Sequence, residues 1–344
     1  MAQGPNGTDR KLEFPSRAPL EIGFQNVQPP ADASGDFQIA DFETTKRLVL
    51  ALERNNFHAM WAGDHLAFAQ PILDPMIQLA QASAISQRLK LGTAVFLLPL
   101  RHPAGVAKQV ATLDLLSSGR VIFGVGVGGE FPNEFALSGV PVKERGARLS
   151  EGIEVLRKLW SGKPVANAGK FYSFPEVQML PAPHTPGGPP VWCGGRQEPA
   201  LRRAGRLADG WLSYVVTPEQ YRAGLEVIAR AGAEAERDLS TFGTGHLLFI
   251  RLAKNYESAL DYAAKMLSAR YAMDFRKPAK RYCALGTAEQ VASTIREFYQ
   301  AGVRHLVVDF IAERADQIEQ IDYFGANVMP LLADLIQDPP ASAE

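Results

Sequence analysis

The sequence predicts a (β/α)8 barrel, the TIM fold. Short apolar runs alternate with longer helical runs from Leu20 almost to the C-terminus. Eight such pairs in about 300 residues match the arithmetic of a TIM barrel. Several of the runs (VIFGVGV, LLFI and HLVVDF) are almost continuously apolar, as strands buried on both faces are. A doubly wound open sheet would show the same alternation. The barrel is preferred because no shift in composition divides the chain.

The elements follow in order. Leu20–Val27 reads as the first strand and Ile39–Asn56, apolar near the 3.6 period, as its helix. Phe57–Asp64 is the second strand. Its helix opens with Asp74 as N-cap and Pro75 at the first helical position. Leu89–Leu98 is the third strand, followed by a helix from the region of Pro103 to a stop at Gly119. Arg120–Val127 is the fourth, and Lys143–Trp160 is a long amphipathic helix with no helix expected directly after the glycine run before it. Residues 161–190 interrupt the rhythm, with a short hairpin expected over Ala168–Phe174. Pro189–Gly195 and Glu198–Asp209 form the fifth pair. A sixth strand (GWLSYVV) leads to a helix opened by a Thr217–Gln220 capping box. His246–Ala253 and Ser258–Arg270 are the seventh pair. After a second candidate insertion, Ala272–Gly286, the spacing Thr287–Gln290 opens another helix. Val303–Ile311 and Ile318–Ile336 close the count. The domain organisation expected is therefore a loose arm over 1–19 and one barrel over 20–337.

Composition narrows the function. The chain has 344 residues, 46% of them hydrophobic, with 36 basic and 37 acidic side chains. That balance, without a basic stripe, argues against nucleic acid as a partner. No run approaches the ~18 apolar residues of a membrane span, and the N-terminal stretch lacks the apolar core of a secretion signal. Two cysteines, Cys193 and Cys283, form neither a disulfide framework nor a metal spacing, so a reducing cytoplasm is expected. No HExxH and no GxSxG occurs.

Barrel chemistry sits at the C-terminal ends of the strands. Asp64-His65 ends strand two and is the best titratable pair there, able to exchange a proton near neutral pH. The alternative for His65 is a structural hydrogen bond at the barrel mouth. Strand four ends in GVGVGGE, where Glu130 is a candidate base or a solvated loop acid. Strand five ends in Gly194-Gly195-Arg196 and opens toward a helix whose N–H groups suit an anion. Strands four and five are neighbours in a barrel, so Gly126, Gly128 and Gly129 approach the same place. Each glycine group could instead mark a tight turn. Phe24, Trp61, Phe96, Phe131 and Trp192 could flank a flat ring or belong to the core.

Three blocks, LPLRHPAGVAKQVATLDLLSSGRVIFGVGVGGEFPNEF, GVPVKERGARLSEGIEVLRKLW and PPVWCGGRQEPALRRAGRLADGWL, strongly resemble the bacterial luciferase-like oxidoreductases. The resemblance runs from about Leu20 to Leu332 and implies a TIM barrel with a reduced flavin-type cofactor. That is either FMN with O2 or the deazaflavin coenzyme F-420. It further implies that Asp64 and His65 lie near the tricyclic ring, and that Thr93-Ala94-Val95 form a bulge behind it with a non-proline cis bond at Ala94–Val95. Gly126–Gly129 and Gly194–Arg196 match the loops that hold the phosphate, and Phe24 matches a position lining the ring. A homodimer packed through barrel helices is expected on the same ground.

These residues place an FMN-dependent monooxygenase first. A separate NAD(P)H:flavin reductase would supply the reduced cofactor, since no dinucleotide fingerprint is present, and the substrate would be small and largely apolar. His65 and Glu130 would be the catalytic pair. The alternative is an F-420-dependent oxidoreductase moving hydride to or from an alcohol or enone. Its longer anionic tail would ask for a basic rim, for which Arg196, Arg202 and Lys277 are candidates. A non-catalytic flavin-binding barrel is the third reading.

Overall fold

The computed structural model describes residues 14–15, 18–26, 41–68, 71–129, 131–271, 273–313 and 316–336. Its strands are β1 (Glu21–Asn26), β2 (Ala59–Ala62), β3 (Lys90–Thr93), β4 (Val121–Val125), β5 (Val165–Ala168), β6 (Ser173–Val177), β7 (Val191–Gly194), β8 (Gly210–Tyr214), β9 (Gly243–Leu252), β10 (Cys283–Gly286) and β11 (His305–Phe310). The helices are α1 (Phe42–Arg54), α2 (Pro75–Ile85), α3 (Pro103–Leu116), α4 (Pro132–Leu137), α5 (Arg145–Trp160), α6 (Glu198–Leu207), α7 (Pro218–Glu234), α8 (Tyr256–Tyr271), α9 (Arg276–Tyr282), α10 (Ala288–Gln300) and α11 (Gln317–Asn327).

Eight parallel strands close on themselves in the order β1-β2-β3-β4-β7-β8-β9-β11, with β11 pairing back to β1. The barrel expected from the sequence is therefore the fold. Its strands are shorter than the apolar runs. The third run continues to Leu98, but β3 stops at Thr93, and the Ala94–Val95 peptide that follows is cis. Beyond that point the chain pairs with β4 through a bridge from Phe96 to Val125.

The middle of the barrel is filled by two indoles. Trp61 of β2 and Trp192 of β7 lie with ring centroids 5.6 Å apart. Strand glycines face them, and their missing side chains make the room. A Cβ at Gly92 would sit 2.1 Å from Trp61, and one at Gly243 2.1 Å from Trp192. Ala59, Ile122, Leu212 and Val307 complete this inner core. At its N-terminal end, Glu21 accepts from Lys90 Nζ at 2.7 Å and meets His305 Nδ1 at 3.2 Å. Burial opposes charge on Glu21, yet His305 and Lys90 hold its carboxyl well below the usual range.

The larger apolar layer lies between strands and helices. The sequence-level start signals hold: Asp74 caps α2, and Thr217 and Thr287 close reciprocal capping boxes on α7 and α10. Four differences have local causes. A six-residue helix, α4, begins just after the glycine run of β4, where no helix was expected; Pro132 supplies its first position. The irregular segment carries the antiparallel β5–β6 hairpin, somewhat longer than expected. The second candidate insertion folds as α9 and β10, and β10 adds in parallel to the far half of β9 after that strand has left β8. The last helix ends at Asn327, and a 3-10 turn, Met329–Leu332, follows around Pro330, which has no N–H to continue the α ladder. The described part of the arm is anchored: Phe14 packs edge-on to Phe242 at 5.7 Å, and Ala18 accepts from the Tyr299 hydroxyl at 3.3 Å. Among the described residues no helix is long and apolar enough to cross a membrane.

His246 of β9 faces the helix layer, stacked on Phe298 at 4.1 Å, with Nδ1 2.8 Å from the Ser213 hydroxyl. Its Nε2 is buried without a partner. Burial pushes this imidazole down to about 3, so the folded state resists the proton that the unfolded chain takes up near pH 6.5. The stability this imposes is complete above pH 6.5 and is lost as the pH falls below it. We expect this group to cost about 2 kcal/mol between pH 7 and pH 5. Urea unfolding of wild type and His246→Phe at both pH values measures that difference; equal losses in the two proteins would show that His246 contributes none of it.

Candidate active site

A cavity of about 640 Å³ opens at the C-terminal ends of the strands. Its floor continues the inner core. Ala94 and Val95 pack on the indole layer, and glycines on the next two strands leave space for the Val95 side chain. A Cβ at Gly126 would come 2.4 Å from Val95 Cγ2, and one at Gly194 2.9 Å from Cγ1. These two glycines, which the sequence offered to a phosphate, are required by Val95. Gly129 and Gly195 differ: they line the cavity with φ of +109° and +117°, which L side chains avoid. Thr93 lies below the cavity, its hydroxyl donating 2.7 Å to the Gly124 carbonyl.

Strand alternation corrects Phe24. In β1, Gly23 and Gln25 face inward while Phe24 points to the helix layer, where it stacks on Phe310 at 6.1 Å. Gln25 is the β1 residue that lines the cavity. Of the aromatic candidates, Phe131 reaches the site, whereas Trp61, Trp192 and Phe96 are core.

Asp64 and His65 both line the cavity but do not pair with each other. Asp64 Oδ2 accepts from the Leu97 N–H at 2.8 Å, and both carboxylate oxygens take the Arg101 guanidinium, at 2.6 and 2.7 Å. Burial pushes the Asp64 carboxyl up, and the Arg101 charge works against that rise. This clamp ties the end of β2 to the segment before α3. His65 Nδ1 lies 3.1 Å from each oxygen of Glu134. Its ring stacks on Phe68 at 4.4 Å and meets Phe131 edge-on at 5.4 Å. Glu134 is 1% exposed and also accepts from the Leu66 N–H at 2.6 Å and the Ala67 N–H at 3.2 Å.

Glu134 is the residue that sequence reasoning missed. The available signal was Pro132 two positions before it, which opens α4 and turns the carboxylate inward. Glu130, expected beside His65 as a catalytic residue, lies outside the described residues.

The corner where β4 and β7 end is cationic. Lys143, Arg145, Arg196 and Arg203 line it, and among the described residues none of the four forms an ion pair. Arg203 is steadied by the Ser150 hydroxyl at 3.1 Å, and burial lowers its affinity for a proton. Arg145 packs where a Cβ on Gly129 would stand, its Nε 3.0 Å from that point. Arg196 lies 4.9 Å over the Tyr214 ring. Arg202 instead pairs with Glu234 on the surface, and Lys277 is not part of the cavity wall. On the opposite wall Arg270 Nη1 donates to Asp309 Oδ2 at 2.8 Å.

A parallel barrel with an apolar floor, glycine-lined strand ends and a cationic corner frames the site. The family model described as luciferase-like monooxygenase matches residues 22–305, and the chain belongs to that family. An uncharacterised protein of Mycobacterium tuberculosis is 37% identical over 166 residues, covering 48% of this chain and 56% of the relative, so the match spans about half of that relative's length. An F420-dependent glucose-6-phosphate dehydrogenase of Kineococcus radiotolerans is 26% identical over 91% of this chain and 97% of its own. A solved monooxygenase of Streptomyces bottropensis superposes with a TM-score of 0.77 at 22% identity, over 90% of this chain and 99% of its own, a likeness of fold.

The Val95 packing is testable. Gly126→Ala should cost about 1–3 kcal/mol by overpacking. Combined with Val95→Ala, the two losses should fall short of additivity by at least ~1 kcal/mol, measured by chemical unfolding. Additive losses would show that the two positions do not share this space.

Proposed function

We propose that this chain is an F-420-dependent oxidoreductase that moves a hydride between the coenzyme and a small alcohol or carbonyl substrate. The carrying observation is the cationic corner. Four basic side chains without counter-charges among the described residues suit more anionic charge than the single phosphate of FMN, and suit a cofactor with an extended anionic tail. This reverses the order in which the sequence placed the two cofactors. The similarity to F420-dependent glucose-6-phosphate dehydrogenases along most of the chain supports the same cofactor. The separate flavin reductase belongs to the FMN reading and has no part in this one.

The residues present fit such a cofactor. Val95 and Ala94 offer an apolar floor. The backbones at Gly128, Gly129 and Gly195, with Arg145 and Arg203, all in the cavity wall, would hold its phosphate, and Lys143 and Arg196 would meet its tail. Bound F-420 supplies a two-electron hydride donor or acceptor. The protein's part is to handle the accompanying proton. An ionised Glu134 can only accept, so the hydrogen bond fixes the proton of His65 on Nδ1. Nε2 is then left as the atom that takes a proton from an alcohol or returns one to a carbonyl. Phe68 and Phe131 pack against the His65 ring and hold it in place.

Fluorescence or calorimetric titration decides the cofactor. F-420 should bind at micromolar Kd or better, which is about −8 kcal/mol, with FMN at least tenfold weaker, and Arg203→Ala should weaken F-420 at least tenfold. Tighter binding of FMN would refute the proposal and return the monooxygenase reading. Glu134→Gln keeps an acceptor for the Leu66 and Ala67 N–H groups but removes the charge facing His65. It should lower kcat by roughly 10²-fold or more while F-420 affinity stays within about threefold. An unchanged kcat would take the pair out of the chemistry.

A further inference from the structure

The mechanism leaves one buried charged pair in the cavity unused. Arg270 comes from the last turn of α8 and Asp309 from β11, the barrel position farthest from β4. Their side chains are 9% and 5% exposed, and the N–O distance is 2.8 Å. Both line the cavity, with Leu212, Leu247 and Phe249 as apolar neighbours. Asp309 keeps the guanidinium charged against the burial that disfavours it, and burial pushes the Asp309 carboxyl up against the pull of Arg270. A buried ion pair is seldom the most stable way to fill such a place, since well-packed apolar residues often do as well or better. A pair retained on a cavity wall therefore invites a role in recognition.

The distribution of charge says which role. The cations that form no ion pair among the described residues stand at the β4/β7 corner. Across the barrel, among the described residues, the one cation on the wall is matched one to one by a carboxylate. That wall has no net charge. It presents N–H donors beside a carboxylate acceptor, which together complement a hydroxyl or a carbonyl group. A phosphate there would lie against Asp309, and an ammonium against Arg270, each at a Coulombic and desolvation penalty.

We propose that the Arg270–Asp309 pair is the specificity-determining element of this cavity, selecting a compact neutral alcohol or ketone and rejecting phosphorylated substrates. The inference rests on the oxidoreductase reading above only for taking this cavity as the one that admits substrate. The chain then differs in substrate from the sugar-phosphate dehydrogenases it resembles.

Cofactor-free protein provides the test, with cyclohexanone and glucose 6-phosphate as probes followed by calorimetry. The double variant Arg270→Leu/Asp309→Leu keeps the wall neutral and apolar and should fold, but should bind cyclohexanone at least tenfold more weakly. Asp309→Asn leaves the Arg270 charge unmatched and should bind glucose 6-phosphate at least tenfold more tightly than wild type. Both proteins are titrated on an Arg145→Ala/Arg203→Ala background, which removes phosphate binding at the β4/β7 corner from the comparison. Far-UV circular dichroism and the unfolding midpoint check that each variant is folded. Unchanged cyclohexanone affinity in a folded double variant, or unchanged sugar-phosphate affinity in Asp309→Asn, would overturn the proposal. With F-420 added, wild type should show a higher kcat/KM for cyclohexanol than for glucose 6-phosphate; the reverse would also overturn it. Failure of F-420 to bind wild type would instead refute the cofactor reading, and the cofactor-free titrations would still decide the role of the pair.

Discussion

Two indole rings in one barrel constrain most of what lies above them. Trp61 and Trp192 fill the centre, and this is possible only because facing strand positions carry glycine. A close-packed interior leaves little slack, so the next layer must fit the top of the indoles. Val95 and Ala94 form that layer. Gly126 and Gly194 then lack side chains because Val95 occupies their space. The floor of the cavity is thus set from below, by packing, and its glycines make room for Val95.

Above the floor, charge is arranged by a simple rule. Carboxylates buried in the wall each have a partner from another element: Asp64 with Arg101, Glu134 with His65 and two N–H groups, Asp309 with Arg270. Burying a charge without such partners is costly. The cations at the β4/β7 corner break the rule, having no counter-charge among the described residues. Their position beside two glycine turns is what an anionic group would occupy. The electrostatics divide the cavity into a cationic end at β4/β7 and a charge-matched end at Arg270–Asp309.

Much of this was legible in the sequence because it is local. The β/α rhythm, the capping boxes at Thr217 and Thr287, and the glycine-rich strand ends all depend on neighbouring residues. The position of the cis bond at Ala94–Val95 came from resemblance to a family and agrees with the structure. Phe24 was misplaced by one step of strand alternation, which sends its side chain to the opposite face. Arg202 and Arg203 are adjacent on α6, yet one pairs with Glu234 at the surface and the other lines the cavity, because successive helix positions point about 100° apart.

By itself, then, the amino-acid order determined the eightfold alternation, its start signals and the strand ends that could carry chemistry, since each is written in periodicities of two or 3.6 residues. Tertiary structure decided the partners. His65 meets Glu134 across 69 positions, Asp64 meets Arg101 across 37, and Arg270 meets Asp309 across 39. Adjacent in sequence, Asp64 and His65 looked like one proton-handling pair. Successive residues leaving a strand end point different ways, and closure of the barrel brings a different helix or loop to each.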